Sequence, residues 1–289
     1  MKKIISLFAV LCPLLLCAQS LLWKVSGNGL KKPSYLYGTM HVQDNRVFNF
    51  TLEFEKAFKS AKTLCLELDI ENINQMEMMQ QLIMPDGYAI STLISEEDYK
   101  LVEKYFKDSL GQSLKLYDKM TPMFVASMIS LKDMKKDQPE ALDAHLAKRA
   151  KAEKKTVIGL ETLTEQVSAF KAIPYKIQAE NLVKAIKEIG NTDEEDKTTK
   201  IMDFYVHGQL DSLYNMVTKN EDYDEETAAL FHQVFLVNRN KKMAERSIPH
   251  MKKSSVFIAV GAAHLGGEDG VIAMLREQGY IVEPVLSSK

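Results

Sequence analysis

Two histidines share a context that could do chemistry. Tyr35-Leu36-Tyr37-Gly38-Thr39-Met40-His41 reads as a short apolar strand that stops at a glycine and delivers a histidine three residues later. Val256-Phe257-Ile258-Ala259-Val260-Gly261-Ala262-Ala263-His264 has the same form, its histidine 223 positions downstream of the first. A histidine at a strand end can bind a metal ion, or act as acid or base near neutral pH. The carboxyl ends of strands in an open α/β sheet are also where ligands collect. Taken singly, each residue reads as readily as a hydrogen-bonded structural histidine. The shared form favours a joint role. The glycine in each unit is expected to let the chain turn sharply where a Cβ would clash.

Carboxylates and one arginine complete the candidate set. Glu67 ends the apolar run Thr63-Leu64-Cys65-Leu66 and is the natural third member, as a metal ligand or as the base that activates water. The plainer reading is a strand-end carboxylate in solvent. Glu161 ends the run Thr156-Val157-Ile158-Gly159-Leu160 and is a second candidate for contact with substrate. It reads more simply as a helix N-terminal carboxylate favoured by the helix dipole. Arg239-Asn240 lies in a long helical run over 223–247. An arginine aimed into a crevice can bind a substrate carboxylate or stabilise an oxyanion, with Asn240 beside it as a substrate contact. The alternative is a surface arginine with an exposed asparagine. Asp143, on a helix over 139–153, ranks behind these, and His145, His207, His232 and His250 read as structural or exposed.

The elements that must position these residues fall in a simple order. Strands are expected over 21–26, 34–38, 63–69, 155–161, 256–261 and 280–286, with helices from about 71 to 250 between them. Alternation over 63–69 predicts Leu64, Leu66 and Leu68 on one face and Cys65, Glu67 and Asp69 on the other. Neither end of the chain has enough strands to form a sheet alone. The reading is therefore α/β with an α+β-like layout, a central mixed sheet built from both ends and a long helical middle packed on it. Met76, Met78, Met79, Met84, Met120, Met123 and Met128 concentrate in that middle, where irregular core filling is their simplest use.

Residues 1–18 read as a signal peptide: Lys2 and Lys3, an apolar core over 4–16 too short to span a membrane, and Ala18 before a cut. The expectation is an exported chain, periplasmic or secreted, with a single domain over 19–289 and no stable membrane span after cleavage. Cys17 raises lipid anchoring as a lesser alternative, since Leu16 precedes it where a small residue is usual. Beyond it the chain keeps only Cys65, so neither a disulfide nor a cysteine metal cluster is expected. A formal charge of -2 without a basic cluster argues against a nucleic-acid surface. The sequence has no His-Glu-x-x-His helix, no Gly-x-Ser-x-Gly elbow and no Gly-x-x-x-x-Gly-Lys loop.

In order along the chain, Trp23-Lys24-Val25, Tyr35 to Val42, Leu66-Glu67-Leu68-Asp69, Val157 to Thr162 with Gln166, Asn238-Arg239-Asn240 and Val260 to Gly267 with Gly279-Tyr280 resemble the TraB/PrgY/GumN family. Asn238 stands where the family usually has Glu. The resemblance implies a fold shared with Tiki metalloproteases and, more distantly, with erythromycin-esterase-like and ChaN-like proteins. It implies a metal-dependent peptidase site in which His41, His264 and Glu67 hold a divalent cation (Zn, Mn or Co); Arg239, by its own residue type, is expected to assist catalysis. It also implies two alternatives. One is an esterase-like hydrolase that needs no metal. The other is a non-catalytic protein that binds or sequesters a peptide or haem.

Overall fold

The computed structural model describes residues 20–133, 135–190, 192–219 and 223–286. The expected signal peptide and Cys17 lie outside the described residues. Among the described residues, six strands form one sheet: β1 (Leu22–Gly27), β2 (Ser34–Thr39), β3 (Thr63–Leu66), β4 (Thr156–Gly159), β5 (Val256–Gly261) and β6 (Tyr280–Pro284). Their spatial order is β4-β3-β5-β2-β1-β6. The first four in that order are mutually parallel, and β1 runs antiparallel to β2 and β6. The fold is α/β with a mixed sheet drawn from both chain ends, as expected.

The position of β5 follows from its composition. Val256 to Val260 is an unbroken apolar run, and each of these residues is at most 1% exposed. A parallel strand covered on both faces takes such a run, because no side is left for water. The same reason corrects the expected alternation on β3. Leu64, Cys65 and Leu66 are all buried, and Glu67 begins the loop beyond the strand. On one face Phe257 packs against Phe54 and Phe58 of the helix Leu52–Ser60 at ring separations of 5.2 and 5.1 Å. Leu142, Leu146 and Ala150 of the helix Leu142–Ala152, Met243 of Asn238–Lys253 and Leu275 of Val271–Glu277 add to the same core.

The helical middle has its own apolar cluster, centred on Ile90, Val102, Phe106, Leu114, Val125 and Leu182. Met84 and Met120 are buried in it and Met78 and Met128 pack against it, whereas Met76 and Met79 are exposed. The helix expected over 223–247 is three consecutive segments: Glu225–Phe231, a π-helical turn His232–Val237, and Asn238–Lys253. Among the described residues no helix is long and apolar enough to cross a membrane.

Candidate active site

Parallel pairing decides where the candidate residues fall. Thr39 is in register with Gly261, Leu66 with Ala259, and Leu66 with Gly159. Four neighbouring strands therefore end at one edge. Glu161 follows β4, Glu67 follows β3, His264 follows β5 and His41 follows β2, so the strand order sets the order of the side chains along the crevice. Past the strand ends Glu161 N–H still donates to Glu67 O at 2.8 Å, which keeps the two glutamates side by side.

The two glycines stand where a Cβ would crowd its neighbours, as expected, but not at a left-handed turn. Neither has a positive φ. A Cβ on Gly38 would lie 3.0 Å from the Ala262 Cβ, and one on Gly261 would lie 3.1 Å from Glu67 Oε1. They are small so that neighbouring strand ends and the Glu67 carboxylate can approach.

Each imidazole is oriented through Nδ1. His41 Nδ1 lies 2.6 Å from Asp143 Oδ2, whose other oxygen accepts Thr39 Oγ1–H at 2.8 Å. His264 Nδ1 lies 2.6 Å from Asn240 Oδ1, and Asn240 Nδ2 donates to Asp269 O at 2.7 Å. A carbonyl opposite Nδ2 fixes which end of the amide is oxygen, so His264 must carry its proton on Nδ1. Both Nε2 atoms then face the same oxygen. His264 Nε2 is 3.6 Å and His41 Nε2 is 3.8 Å from Glu67 Oε1. Glu67 Oε1 accepts Gly261 N–H at 2.6 Å, and Oε2 accepts Arg239 Nη2–H at 2.6 Å. Arg239 also spans Glu161, with Nε at 3.0 Å and Nη2 at 2.8 Å from Oε2.

These contacts place the remaining candidates. Asn240 is fully buried and serves His264. Glu161 sits one residue before Thr162, which caps the helix Leu163–Ala172. Its oxygens go to Arg239 and Gln166, so the expected tie to the helix dipole is replaced by an ion pair. Asp143, ranked low from the sequence, proves to be a direct partner of His41. Its signal was weak because a lone Asp in the first turn of a helix is ordinary. His232 is not isolated either, since it meets Tyr214 and Asp269.

The field in the crevice separates the two histidines. Burial pushes His264 down to about 4, with Glu67 opposing and Arg239 and His41 adding to the fall. It is therefore neutral near pH 7. For His41, desolvation is outweighed by the charge and hydrogen bond of Asp143 and the charge of Glu67, and the ring rises to about 9. Its side chain is 58% exposed, so it faces the solvent side of the crevice. Burial would raise Glu67, but the charges of His264, Arg239 and His41 and the Gly261 N–H hold it down to about 2.

Among the described residues no three His, Cys, Asp or Glu side chains are already drawn into a metal cage. The Glu67 carboxylate is held back by Arg239 and Gly261. The donor set nonetheless fits a divalent cation. Two Nε2 atoms with their Nδ1 protons committed to an amide and a carboxylate are oriented as metal-binding histidines are. Their spacing from Glu67 Oε1 is close to the separation of ligands that share an ion through bonds of about 2.0–2.2 Å. Glu67 and Glu161 share the Arg239 guanidinium and Asp143 pairs with His41, so binding a cation through unprotonated His41 would replace the positive charge that His41 otherwise supplies.

Comparison with known proteins agrees with the motif resemblance. The chain is 24% identical to Metalloprotease TIKI1 of Danio rerio, over 91% of this chain and 63% of that one. It is 24% identical to the Metalloprotease TIKI homolog of Nematostella vectensis, over 92% and 67%, and 22% identical to Metalloprotease TIKI1 of Homo sapiens, over 91% and 61%. The chain thus spans about three-fifths of the length of most of these relatives. No solved structure gives a significant match. The family match runs over residues 21–284, from the first strand to the last, and the chain belongs to the TraB/PrgY/gumN family.

Proposed function

We propose that this protein is an exported, metal-dependent hydrolase that cleaves a peptide bond, with His41, His264 and Glu67 holding the cation. One observation carries the reading. Asn240 and Asp143 each hold an Nδ1 atom, so both Nε2 atoms are turned to the same carboxylate oxygen. Without a metal the proton on His41 supplies the positive charge at this point, and a divalent cation held by the two Nε2 atoms and Glu67 would take its place. When bound, a divalent cation supplies Lewis acidity for attack of water on a carbonyl. Glu67 is held down to about 2. A carboxylate that acidic is a poor base near pH 7 and suits holding a cation rather than moving a proton. Arg239 keeps Glu67 ionised and places positive charge where an oxyanion would develop. The distant TIKI relatives support the reaction class, as metalloproteases by name.

The test uses the purified protein. Bound zinc, manganese or cobalt and hydrolysis of a peptide mixture are measured before and after EDTA, and again with His41→Ala and His264→Ala. The expected result is activity lost at least a hundredfold in each case and regained on adding metal to the wild type. Absence of both metal and histidine-sensitive hydrolysis would overturn the proposal.

A second reading has its own observation. Both oxygens of Glu67 already accept strong hydrogen bonds, while exposed His41 is backed by Asp143. Once His41 loses its proton, as pH approaches 9, such a dyad can activate water without a metal. Hydrolysis that survives EDTA but not His41→Ala would select it. Export is tested by fractionating cells that make the full chain.

A further inference from the structure

Behind His264 lies a second polar cluster that the proposed chemistry does not use directly. Tyr214 on the helix Leu210–Thr218, His232 at the start of the π-helical turn, and Asp269 in the loop 266–270 meet at one point. Tyr214 Oη is 2.9 Å from His232 Nε2 and 3.3 Å from Asp269 Oδ2. His232 Nε2 is 3.3 Å from the same Asp269 oxygen. Burial first, then the charges of Asp269 and Glu268, push the Tyr214 hydroxyl up to about 12, so it remains a donor.

The loop is seated tightly on the Tyr214 helix. A Cβ on Gly267 would lie 2.5 Å from the Tyr214 ring, and one on Gly266 would lie 2.6 Å from Leu210 O. Gly267 N–H donates to Asp211 Oδ1 at 3.0 Å. The Asp269 side chain thus points into the Tyr–His pair while its main-chain oxygen accepts Asn240 Nδ2–H. A flipped Asn240 would set its own oxygen against that carbonyl, two acceptors with no proton between them. The carbonyl therefore decides how Asn240 faces His264.

We infer that Tyr214, His232 and Asp269 are positioning residues: by anchoring the loop they fix the Asn240 amide, keep the His264 proton on Nδ1 and leave Nε2 open. The inference rests on the proposed role of His264. Its test reads the imidazole itself rather than turnover.

Nitrogen-15 NMR of the labelled protein reports which ring nitrogen of His264 is protonated. Tyr214→Phe removes the hydroxyl and keeps the ring on Gly267. Asp269→Ala removes the carboxylate and keeps the main-chain oxygen. In both, the Nε2–H form of His264 is expected to rise about tenfold over the wild type, with Asp269→Asn restoring the wild-type ratio. Affinity for cobalt(II), added alone and followed by its visible absorption, should weaken at least ~10-fold, as for lost outer partners of metal-binding histidines. Folded variants whose His264 ratio does not move would overturn the inference. Should Asp269→Ala fail to fold, Tyr214→Phe decides. A wild type with its proton on Nε2 would overturn both this inference and the site reading. A wild type on Nδ1 that binds no cobalt would sink only the metal, and the tautomer ratio would still decide this inference.

Discussion

Replacing Asp143 by Asn isolates what a carboxylate does for His41. The charge and hydrogen bond of Asp143 are the main reasons the ring rises to about 9. In the metal-free protein, NMR titration of Asp143→Asn should therefore find the His41 pKa shifted down toward its ordinary 6.5. Hydrolysis should fall about 10–100-fold, as when a histidine loses its orienting partner. An unmoved pKa would show that Glu67 and not Asp143 governs the ring. Gly261→Ala probes the other side of the crevice. The new methyl group would stand 3.1 Å from Glu67 Oε1, and overpacking of this kind costs about 1–3 kcal/mol. Activity is expected to drop by more than the thermal stability does. His41, His264 and Glu67 were legible as neighbours because each follows an apolar strand, whereas Arg239 was singled out by its type within a helical run. Asp143 and Asn240 were not read as histidine partners, because the residues they serve lie 102 and 24 positions away.

At the scale of elements, the helix Leu163–Ala172 is fixed by a capping box in which Thr162 and Glu165 satisfy each other's main-chain donors. Thr162→Ala should cost about 1 kcal/mol, read as a lower denaturation midpoint. Because Glu161 is the preceding residue, the same change should loosen Arg239. Hydrolysis should therefore fall more than for a cap far from the crevice, such as Ser95→Ala. The apolar run of β5 could be read as a strand from composition alone. The face pattern of β3 could not, because alternation assumes one wet face and parallel neighbours leave none. The π-helical turn His232–Val237 also escaped the sequence, since one wider turn barely alters an apolar period. That turn leads directly into Asn238–Lys253, the helix whose adjacent Arg239 and Asn240 reach separate partners on either side of Glu67.

For the whole molecule, the perturbed groups set a window of stability in the absence of metal. Asp44 is held down to about 2 from 3.8, chiefly by the Arg46 hydrogen bond, and Glu67 to about 2 from 4.5. Both are depressed, so their contribution is complete above the unfolded values and is lost as pH falls toward 2. His41 is raised from 6.5 to about 9, so its contribution is complete below 6.5 and is lost as pH rises through 9. His264 is lowered from 6.5 to about 4, so it costs stability as pH falls from 6.5 toward 4, and melting temperature against pH should therefore peak near pH 6.5 with a fall on each side. Bound metal should flatten the alkaline fall, because it holds His41 unprotonated in the native state. A sheet drawn from both chain ends was legible, since neither end had strands enough for its own. The order of strands within it was not, because pairing across more than two hundred residues leaves no local trace.

That order has a consequence for how the protein comes to life. β5, one of the last strands to be made, does not add to an edge but lies between β2 and β3. Until it arrives, the early strands cannot share one sheet, and His264 has not joined His41 and Glu67. Pairings this distant in sequence form late. A nascent or clipped chain lacking its final segment therefore carries two-thirds of the donor set but no competent site. Assembly of these side chains is withheld until β5 is made, by chain connectivity alone.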